Sequence, residues 1–163
     1  SEVRELPDSI GRLETLRELY LHDNRLALLP RSIEGLTRLR QLDVSGNDLS
    51  VLPRELGFLG QLTLLGASDN PPRLIEEGAL RLPLLRVLGL ERTRRPQRPG
   101  VHEWGQLREL PPEVADLSLR ELRLGGNLLY CVTAPPEWVR TGGAMGPTGS
   151  VIGLGAQRCW SFQ

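Results

Sequence analysis

The sequence contains no lysine, although it has 163 residues and 20 positively charged side chains, all of which are arginine. The absence of lysine excludes enzymes that need a lysine Schiff base and nucleotide-binding proteins that need a P-loop lysine. An excess of either charge is also missing, because 20 acidic residues balance the arginines and the net charge is zero. Nucleic-acid binding by a strongly basic domain is therefore not expected.

Aromatic residues, cysteines and long apolar runs are scarce as well. Aromatic residues make up 4% of the chain, and the two cysteines, Cys131 and Cys159, are too few for a disulfide framework or a zinc cage. We expect reduced thiols, with one disulfide between them as the alternative. No apolar run approaches the roughly 18 residues of a membrane span, and neither His22 nor His102 stands in a metal-ligand motif. The sequence predicts no metal site, no cofactor and no membrane span.

Leucine, in contrast, accounts for 34 of the 163 residues and recurs at a fixed spacing. Two copies of one pattern, 16–38 and 39–61, agree at every position that defines it, and further copies open at Leu62, Leu85 and Leu119. Successive openings are separated by 23, 23, 23 and 34 residues. Such a repeat predicts a solenoid, in which each copy buries its apolar face against the next.

Each copy begins with a predicted strand. In the first copy polar and apolar residues alternate, so that Leu19 and Leu21 point inward while Glu18 and Tyr20 face solvent. Five such strands, stacked in parallel, give a sheet about 24 Å wide. An asparagine recurs where the chain leaves the strand, at positions 24, 47, 70 and 127. Its side chain can both donate and accept hydrogen bonds, so it can satisfy backbone groups that the turn frees.

The pattern resembles the leucine-rich repeat family over about residues 3–145. Leu-Pro pairs that are followed three residues later by an aliphatic residue resemble the intracellular 23-residue class of Ras-pathway and cell-polarity scaffold proteins; the pairs are Leu6-Pro7, Leu29-Pro30, Leu52-Pro53 and Leu110-Pro111. The resemblance implies an α/β fold: a right-handed horseshoe solenoid with a parallel concave sheet of about five strands and short 3-10 or turn segments on the convex side. It also implies that the asparagines form a ladder between coils.

The repeats divide the chain into three predicted regions. Residues 1–15 are the second half of a truncated first repeat, so we expect the chain to be a fragment of a longer protein. Residues 16–140 hold the leucine-rich repeats, and residues 141–163 form a Gly-rich tail that is predicted to be flexible.

The third and fourth copies depart from the pattern. In the third, Glu76 replaces the proline, and a short helix from Ile75 to Leu80 is expected. The fourth carries a 12-residue insertion at about 94–106, rich in arginine. Insertions in solenoids lie on one face and often carry binding; a solvated loop is the alternative.

The solvent-facing columns of the predicted sheet form the candidate binding site. Rigid aromatic side chains and arginine are typical interface anchors. The predicted protein-binding residues are Tyr20, His22, Asp43 and Arg123 at the centre, Glu18 beside Tyr20, and Arg17, Arg40 and Arg86 as an electrostatic flank. The alternative is a solvated face whose charges only pair between neighbouring coils.

His22, Asp43 and Ser45 are also expected to be neighbours, which superficially suggests a base, an acid and a nucleophile. The sequence has neither an oxyanion-hole turn nor a nucleophile elbow around them. The predicted face is also open to water, which weakens electrostatic catalysis. We therefore predict no catalytic residues and interpret His22 as a contact residue.

These observations favour a non-catalytic protein-interaction module in cytosolic signalling or scaffolding, with a folded partner bound on the concave face. The resemblance suggests a cytoplasmic location and small GTPases or phosphatase complexes as partners. One alternative is the substrate-recognition arm of a larger enzyme of the ubiquitin-ligase or kinase type. Two others are nucleic-acid binding through the arginines of the insertion, against which the zero net charge argues, and a fragment without activity of its own.

Overall fold

The computed structural model describes residues 2–70, 74–91, 110–124 and 151–152. Six short parallel strands form its main sheet: β1 (Glu18–Tyr20), β2 (Gln41–Asp43), β4 (Leu64–Gly66), β6 (Val87–Gly89), β7 (Glu121–Arg123) and β8 (Val151–Ile152). Two further strands, β3 (Val51–Leu52) and β5 (Leu74–Ile75), pair in a second, two-stranded parallel sheet. The main sheet agrees with the predicted solenoid.

The register of the main sheet follows the repeat spacing. Leu19 pairs with Leu42, Leu42 with Leu65 and Leu65 with Leu88, always 23 residues apart. Leu88 then pairs with Leu122, 34 residues further on. The longer fourth copy therefore re-enters the sheet in register at β7.

Leucines from every coil meet in one continuous core. The middle residues of β2, β4 and β6 are fully buried, as are Leu39 and Leu62, which precede two of these strands. Leu19 and Leu21 point toward the core as predicted but stay half-buried, because β1 is the edge strand of the described sheet. A single strand could not hide its apolar side chains, so burial comes from stacking.

On the opposite side of the coils, short 3-10 helices follow the Leu-Pro pairs: η1 (Asp8–Arg12), η2 (Arg31–Gly35), η3 (Arg54–Phe58) and η4 (Pro112–Asp116). Each preceding proline has φ between −63° and −77° and ψ near 150°, the extended conformation that proline favours. The aliphatic residue three positions after the proline points inward, and Ile33, Leu56 and Val114 are buried.

The third copy is the exception, and the short helix predicted from Ile75 to Leu80 is wrong. Leu74 and Ile75 instead form β5, and residues 77–80 make a turn in which Gly78 has a φ of 91°. Glu76 stands where the other copies have proline, and its backbone N–H donates to the Leu52 carbonyl at 3.0 Å. A proline there could not make this bond, because it has no N–H.

The asparagine ladder is present between the coils that carry β1, β2 and β4. Asn47 Oδ1 accepts a hydrogen bond from the Leu26 N–H at 3.0 Å, and Asn47 Nδ2 donates to the carbonyls of Leu21 and Val44 at 2.9 and 2.8 Å. Asn70 repeats the arrangement one coil further on. The residues before these asparagines adopt left-handed φ values of 53–67°, which aspartate and glycine tolerate: Asp23, Gly46 and Asp69.

Two predicted regions fall mainly outside the described residues. The insertion at 94–106 lies wholly outside them, and of the tail at 141–163 only β8 is described. β8 pairs in parallel with β7. The sequence analysis did not predict this sixth strand, because two isolated aliphatic residues among glycines carry no repeat signal.

Candidate protein-interaction surface

The outward side of the main sheet, here called the concave face, carries two rows of side chains, which include four of the eight predicted site residues. One row joins Glu18, Gln41, Leu64, Val87 and Glu121, and the other joins Tyr20, Asp43, Gly66, Gly89 and Arg123. Because adjacent strands lie about 4.8 Å apart, Tyr20 and Arg123 stand about 19 Å from each other. The predicted central residues therefore form two separate clusters.

The first cluster surrounds Tyr20. Its hydroxyl lies 2.7 Å from Gln41 Oε1 and 3.2 Å from Glu18 Oε2, so its single proton can be shared with either acceptor. Desolvation, followed by the negative charge and hydrogen bond of Glu18 and the charge of Asp43, raises the pKa of Tyr20 above 10.0. Tyr20 is 51% exposed, so its ring can contact a partner while its hydroxyl is held in place.

Asp43 also belongs to this cluster, because it lies beside Tyr20 on the neighbouring strand β2. Its Oδ1 accepts a hydrogen bond from the Ser45 backbone N–H at 3.0 Å, and its Oδ2 lies 3.9 Å from His22 Nδ1. The histidine contact is too long for a hydrogen bond, and the serine is held through its main chain. This geometry does not align a hydroxyl, an imidazole and a carboxylate for nucleophilic catalysis.

The second cluster surrounds Arg123. Its Nε donates to Glu121 Oε1, and its Nη1 lies 3.8 Å from Glu91 Oε1. The hydrogen bond to Glu121 and the negative charges of Glu121 and Glu91 raise the pKa of Arg123, while partial desolvation opposes them. Arg123 is thus charged and engaged with two carboxylates.

Four arginines form a row along the edge of the concave face where the strands begin; they are Arg17, Arg40, Arg86 and Arg120. Their backbones continue the sheet, since the N–H groups of Arg40 and Arg120 donate to the carbonyls of Arg17 and Arg86, both at 2.7 Å. Thr63 occupies the same place on the strand between Arg40 and Arg86. Three of the four belong to the predicted electrostatic flank, and the structure places them in one row with Arg120, interrupted by Thr63.

The middle of the concave face is apolar, which the prediction of charged central residues missed. Leu64 and Val87 project outward from β4 and β6, and glycines occupy the neighbouring outward positions. A Cβ on Gly66 would lie 2.8 Å from Asp43 Oδ1 and 3.2 Å from Ser45 Oγ. We call Leu64, Gly66, Val87 and Gly89 the apolar centre. The sequence already indicates this apolar centre, because each of the other repeats places a charged residue in at least one of the two rows, whereas the third and fourth repeats place none.

Away from the concave face, a depression of about 870 Å³ opens on the side of the 3-10 helices. It is lined by Leu28, Pro30, Arg31, Pro53, Arg54, Glu55, Glu76, Glu77 and Arg81, among others. The Glu55 carboxylate lies 3.9 Å from both Arg31 Nε and Arg54 Nε, and Arg81 pairs with Glu77 at 3.7 Å. Its charges therefore pair mainly with one another.

Among the described residues there is no group of three or more His, Cys, Asp or Glu side chains that could hold a metal ion. That part of the chain also has no helix with the length and apolar character required to cross a membrane.

Comparisons with known proteins agree with this architecture. The family model for the leucine-rich repeat matches residues 4–49 and 14–71. A leucine-rich repeat protein of Leptospira interrogans has a similar structure, with a TM-score of 0.60 and 29% identity over 80% of this chain. No curated protein matches the sequence.

A second similar structure is the leucine-rich repeat ectodomain of the plant membrane receptor kinase GASSHO1/SCHENGEN3 from Arabidopsis thaliana, in complex with CASPARIAN STRIP INTEGRITY FACTOR 2. Its TM-score is 0.56, with 26% identity over 72% of this chain. This chain spans 29% of the Leptospira chain and 13% of the Arabidopsis chain. The described residues thus form a leucine-rich repeat solenoid, and residues 4–71 match the leucine-rich repeat family.

Proposed function

We propose that the chain is a non-catalytic recognition module that binds a partner protein on its concave face. The observation that carries this proposal is the apolar centre on β4 and β6, enclosed by the charged clusters around Tyr20 and Arg123 and by the arginine row. An apolar middle within a polar rim is the usual anatomy of a protein interface. Leucine-rich repeat structures are generally interaction folds, which supports a non-catalytic role.

The partner class and location are the finer parts of the proposal. The resemblance to the intracellular class supports a cytoplasmic signalling or scaffolding role, with small GTPases and phosphatase complexes as the first partners to test. One similar structure is an ectodomain in complex with CASPARIAN STRIP INTEGRITY FACTOR 2, which supports recognition by this fold and does not support a cytoplasmic location.

Affinity capture from a cell lysate, analysed by mass spectrometry, tests the proposal. The bait is compared with a Leu64→Gln, Val87→Glu variant, whose new side chains are of the kind that the same row already carries at Gln41 and Glu121. The matched control is Leu28→Gln, Phe58→Glu, which removes two exposed apolar side chains outside the main sheet. Circular dichroism checks that all three proteins are folded.

We expect a set of partners that the wild type and the control variant retain and that the apolar-centre variant loses. Identical partners on all three baits, or none on any, would contradict recognition by the concave face.

The sequence analysis also raised the substrate-recognition arm of a larger enzyme. The Arabidopsis ectodomain belongs to a receptor kinase, so this arrangement of repeats occurs together with a catalytic activity there. The full-length reading frame decides between the two roles, because a catalytic domain encoded beside these repeats would favour the enzyme arm.

A further inference from the structure

The carboxylates of the concave face already have partners. Glu18 accepts from the Tyr20 hydroxyl, and Asp43 accepts from the Ser45 N–H. Glu91 and Glu121 both contact Arg123. Each of these carboxylates therefore has a hydrogen-bond or ion-pair partner within the face.

The arginine row differs in this respect. The side chains of Arg17, Arg40 and Arg120 are exposed and form no hydrogen bond or ion pair with another described residue. Arg86 Nη1 donates to the Ser118 carbonyl at 2.9 Å, which leaves its charge without a carboxylate among those residues. Arg17 lies beside Arg40, and Arg86 lies beside Arg120. Like charges in such neighbouring positions repel one another, so a ligand that brings negative charge to this row gains more than one that brings positive charge.

The length of the arginine row and the apolar centre beside it restrict which ligands can bind. The row runs from Arg17, directly before β1, to Arg120, directly before β7. It crosses five strands, about 19 Å at the usual strand spacing. An extended peptide of about six residues covers that distance. Leu64 and Val87 directly follow Thr63 and Arg86 in the sequence, so the apolar centre adjoins the middle of the row.

We propose, resting on the function proposed above, that the concave face binds an acidic segment of a partner protein. Aspartate or glutamate side chains of the segment pair with the arginine row, and an apolar side chain between them packs on Leu64 and Val87. Arginine suits this role because its planar guanidinium binds a carboxylate through two parallel hydrogen bonds. Nucleic acid fits less well, since the chain has no net positive charge to attract a continuous phosphate backbone.

The test is a selection from a displayed random peptide library of about 12 residues, roughly twice the length of the row, on the immobilised chain. The peptide that binds best is synthesised with a fluorescent label, and its affinity is measured by anisotropy. Binding is compared between the wild type and Arg17→Gln, Arg40→Gln. The matched control is Arg4→Gln, Arg12→Gln, which removes two exposed arginines outside the main sheet, also unpaired among described residues.

We expect selected peptides to be enriched in Asp and Glu around one apolar residue. The affinity falls about tenfold or more in the Arg17, Arg40 variant, because two charge pairs are lost, and changes less than about twofold in the control. It also falls as sodium chloride rises from roughly 0.05 to 0.5 M, since exposed charges are screened.

Neutral or basic peptides that lose binding in the Leu64→Gln, Val87→Glu variant would overturn the acidic ligand and leave the proposed function standing. A selection without any binder would also overturn it, while the capture experiment tests folded partners separately. A single-stranded RNA of about 12 nucleotides that binds more tightly than the acidic peptide, and only with Arg17 and Arg40 intact, would assign the row to nucleic acid.

Discussion

At the scale of single residues, the asparagine ladder shows which hydrogen bonds the fold depends on. The carbonyls of Leu21 and Val44 each accept from two asparagines of neighbouring coils, so each keeps one partner when a single asparagine is lost. The Leu26 N–H has Asn47 as its partner and is buried. Loss of the Asn47 side chain therefore leaves one buried backbone donor, the Leu26 N–H, without its partner.

We expect Asn47→Ala to lower the free energy of unfolding by about 1–3 kcal/mol, the cost of one buried donor left without a partner. Asn24→Ala is the comparison: Asn24 serves the half-buried Val3 N–H at the edge of the sheet, so a smaller loss is expected. Urea denaturation followed by circular dichroism measures both. An unchanged midpoint for Asn47→Ala would refute the structural role of the ladder.

Tyr20 permits a test of the electrostatics around the first cluster. Its raised pKa means that the folded state holds the phenol proton more tightly than the unfolded chain does. This contribution to stability is present below pH 10 and is lost as the pH rises through the raised pKa of the folded state. Ionised Tyr20 would stand beside the carboxylates of Glu18 and Asp43.

We expect Glu18→Gln to move the pKa of Tyr20 back toward 10.0, because the nearest negative charge is removed. Absorbance of the tyrosinate at high pH reports the titration, in a Tyr130→Phe background that leaves Tyr20 as the one remaining tyrosine. Glu121→Gln is the matched control, since it lies about 19 Å away across the sheet, beyond the screening length of about 8 Å. Equal shifts in both variants would contradict a local effect of Glu18.

At the scale of elements, the third copy shows how a repeat tolerates a change of its motif. Glu76 keeps the backbone bond to Leu52 that proline would lose, and its carboxylate accepts from the Arg54 N–H at 2.9 Å. From the other side, Glu113 accepts from the Gly78 N–H at 2.6 Å. The carboxylates of Glu76 and Glu113 thus hold the turn at the position where the regular copies have a 3-10 helix. Helix η3 of the preceding copy packs closely on this turn.

That close packing makes Gly57 a sensitive position. A Cβ at Gly57 would lie 1.9 Å from the Gly78 carbonyl oxygen, so we expect Gly57→Ala to destabilise the fold by about 1–3 kcal/mol through backbone displacement. In the same coil, a Cβ at Gly60 would meet nothing within 4 Å. Gly60→Ala should therefore be neutral, or stabilising by about 0.4–1 kcal/mol through reduced freedom of the unfolded chain. Urea melts that do not separate the two variants would contradict this packing.

At the scale of the whole molecule, the solenoid converts a one-dimensional repeat into a surface. Residues 23 positions apart become lateral neighbours, so each row of the concave face is a column of the sequence. The fourth copy keeps this relation despite its additional residues, and Arg123 enters the same row as Tyr20. Charge is thereby sorted across the sheet, with the arginine row along one edge and the apolar centre beside it.

Much of this fold could be predicted from the sequence, because the spacing of the leucines determines which side chains can be buried. The strand register and the inward leucines follow from a period of 23 residues, whereas the 3-10 segments after Leu-Pro and the asparagine ladder were expected from the resemblance to the leucine-rich repeat family. The short helix expected at Ile75–Leu80 failed because local apolar content cannot reveal that Leu52 and Arg54 would supply the competing hydrogen bonds.

The candidate surface depended more on three-dimensional packing. The repeat predicted which residues face outward, and it placed Arg17, Arg40 and Arg86 in one column. Which charges would pair within the face was decided by side-chain reach between neighbouring strands: Arg123 is engaged by Glu121 and Glu91, whereas Arg17 and Arg40 meet no carboxylate among the described residues. Spacing along a chain specifies neighbours, but only the folded sheet specifies which neighbouring side chains satisfy one another and which remain available to a partner.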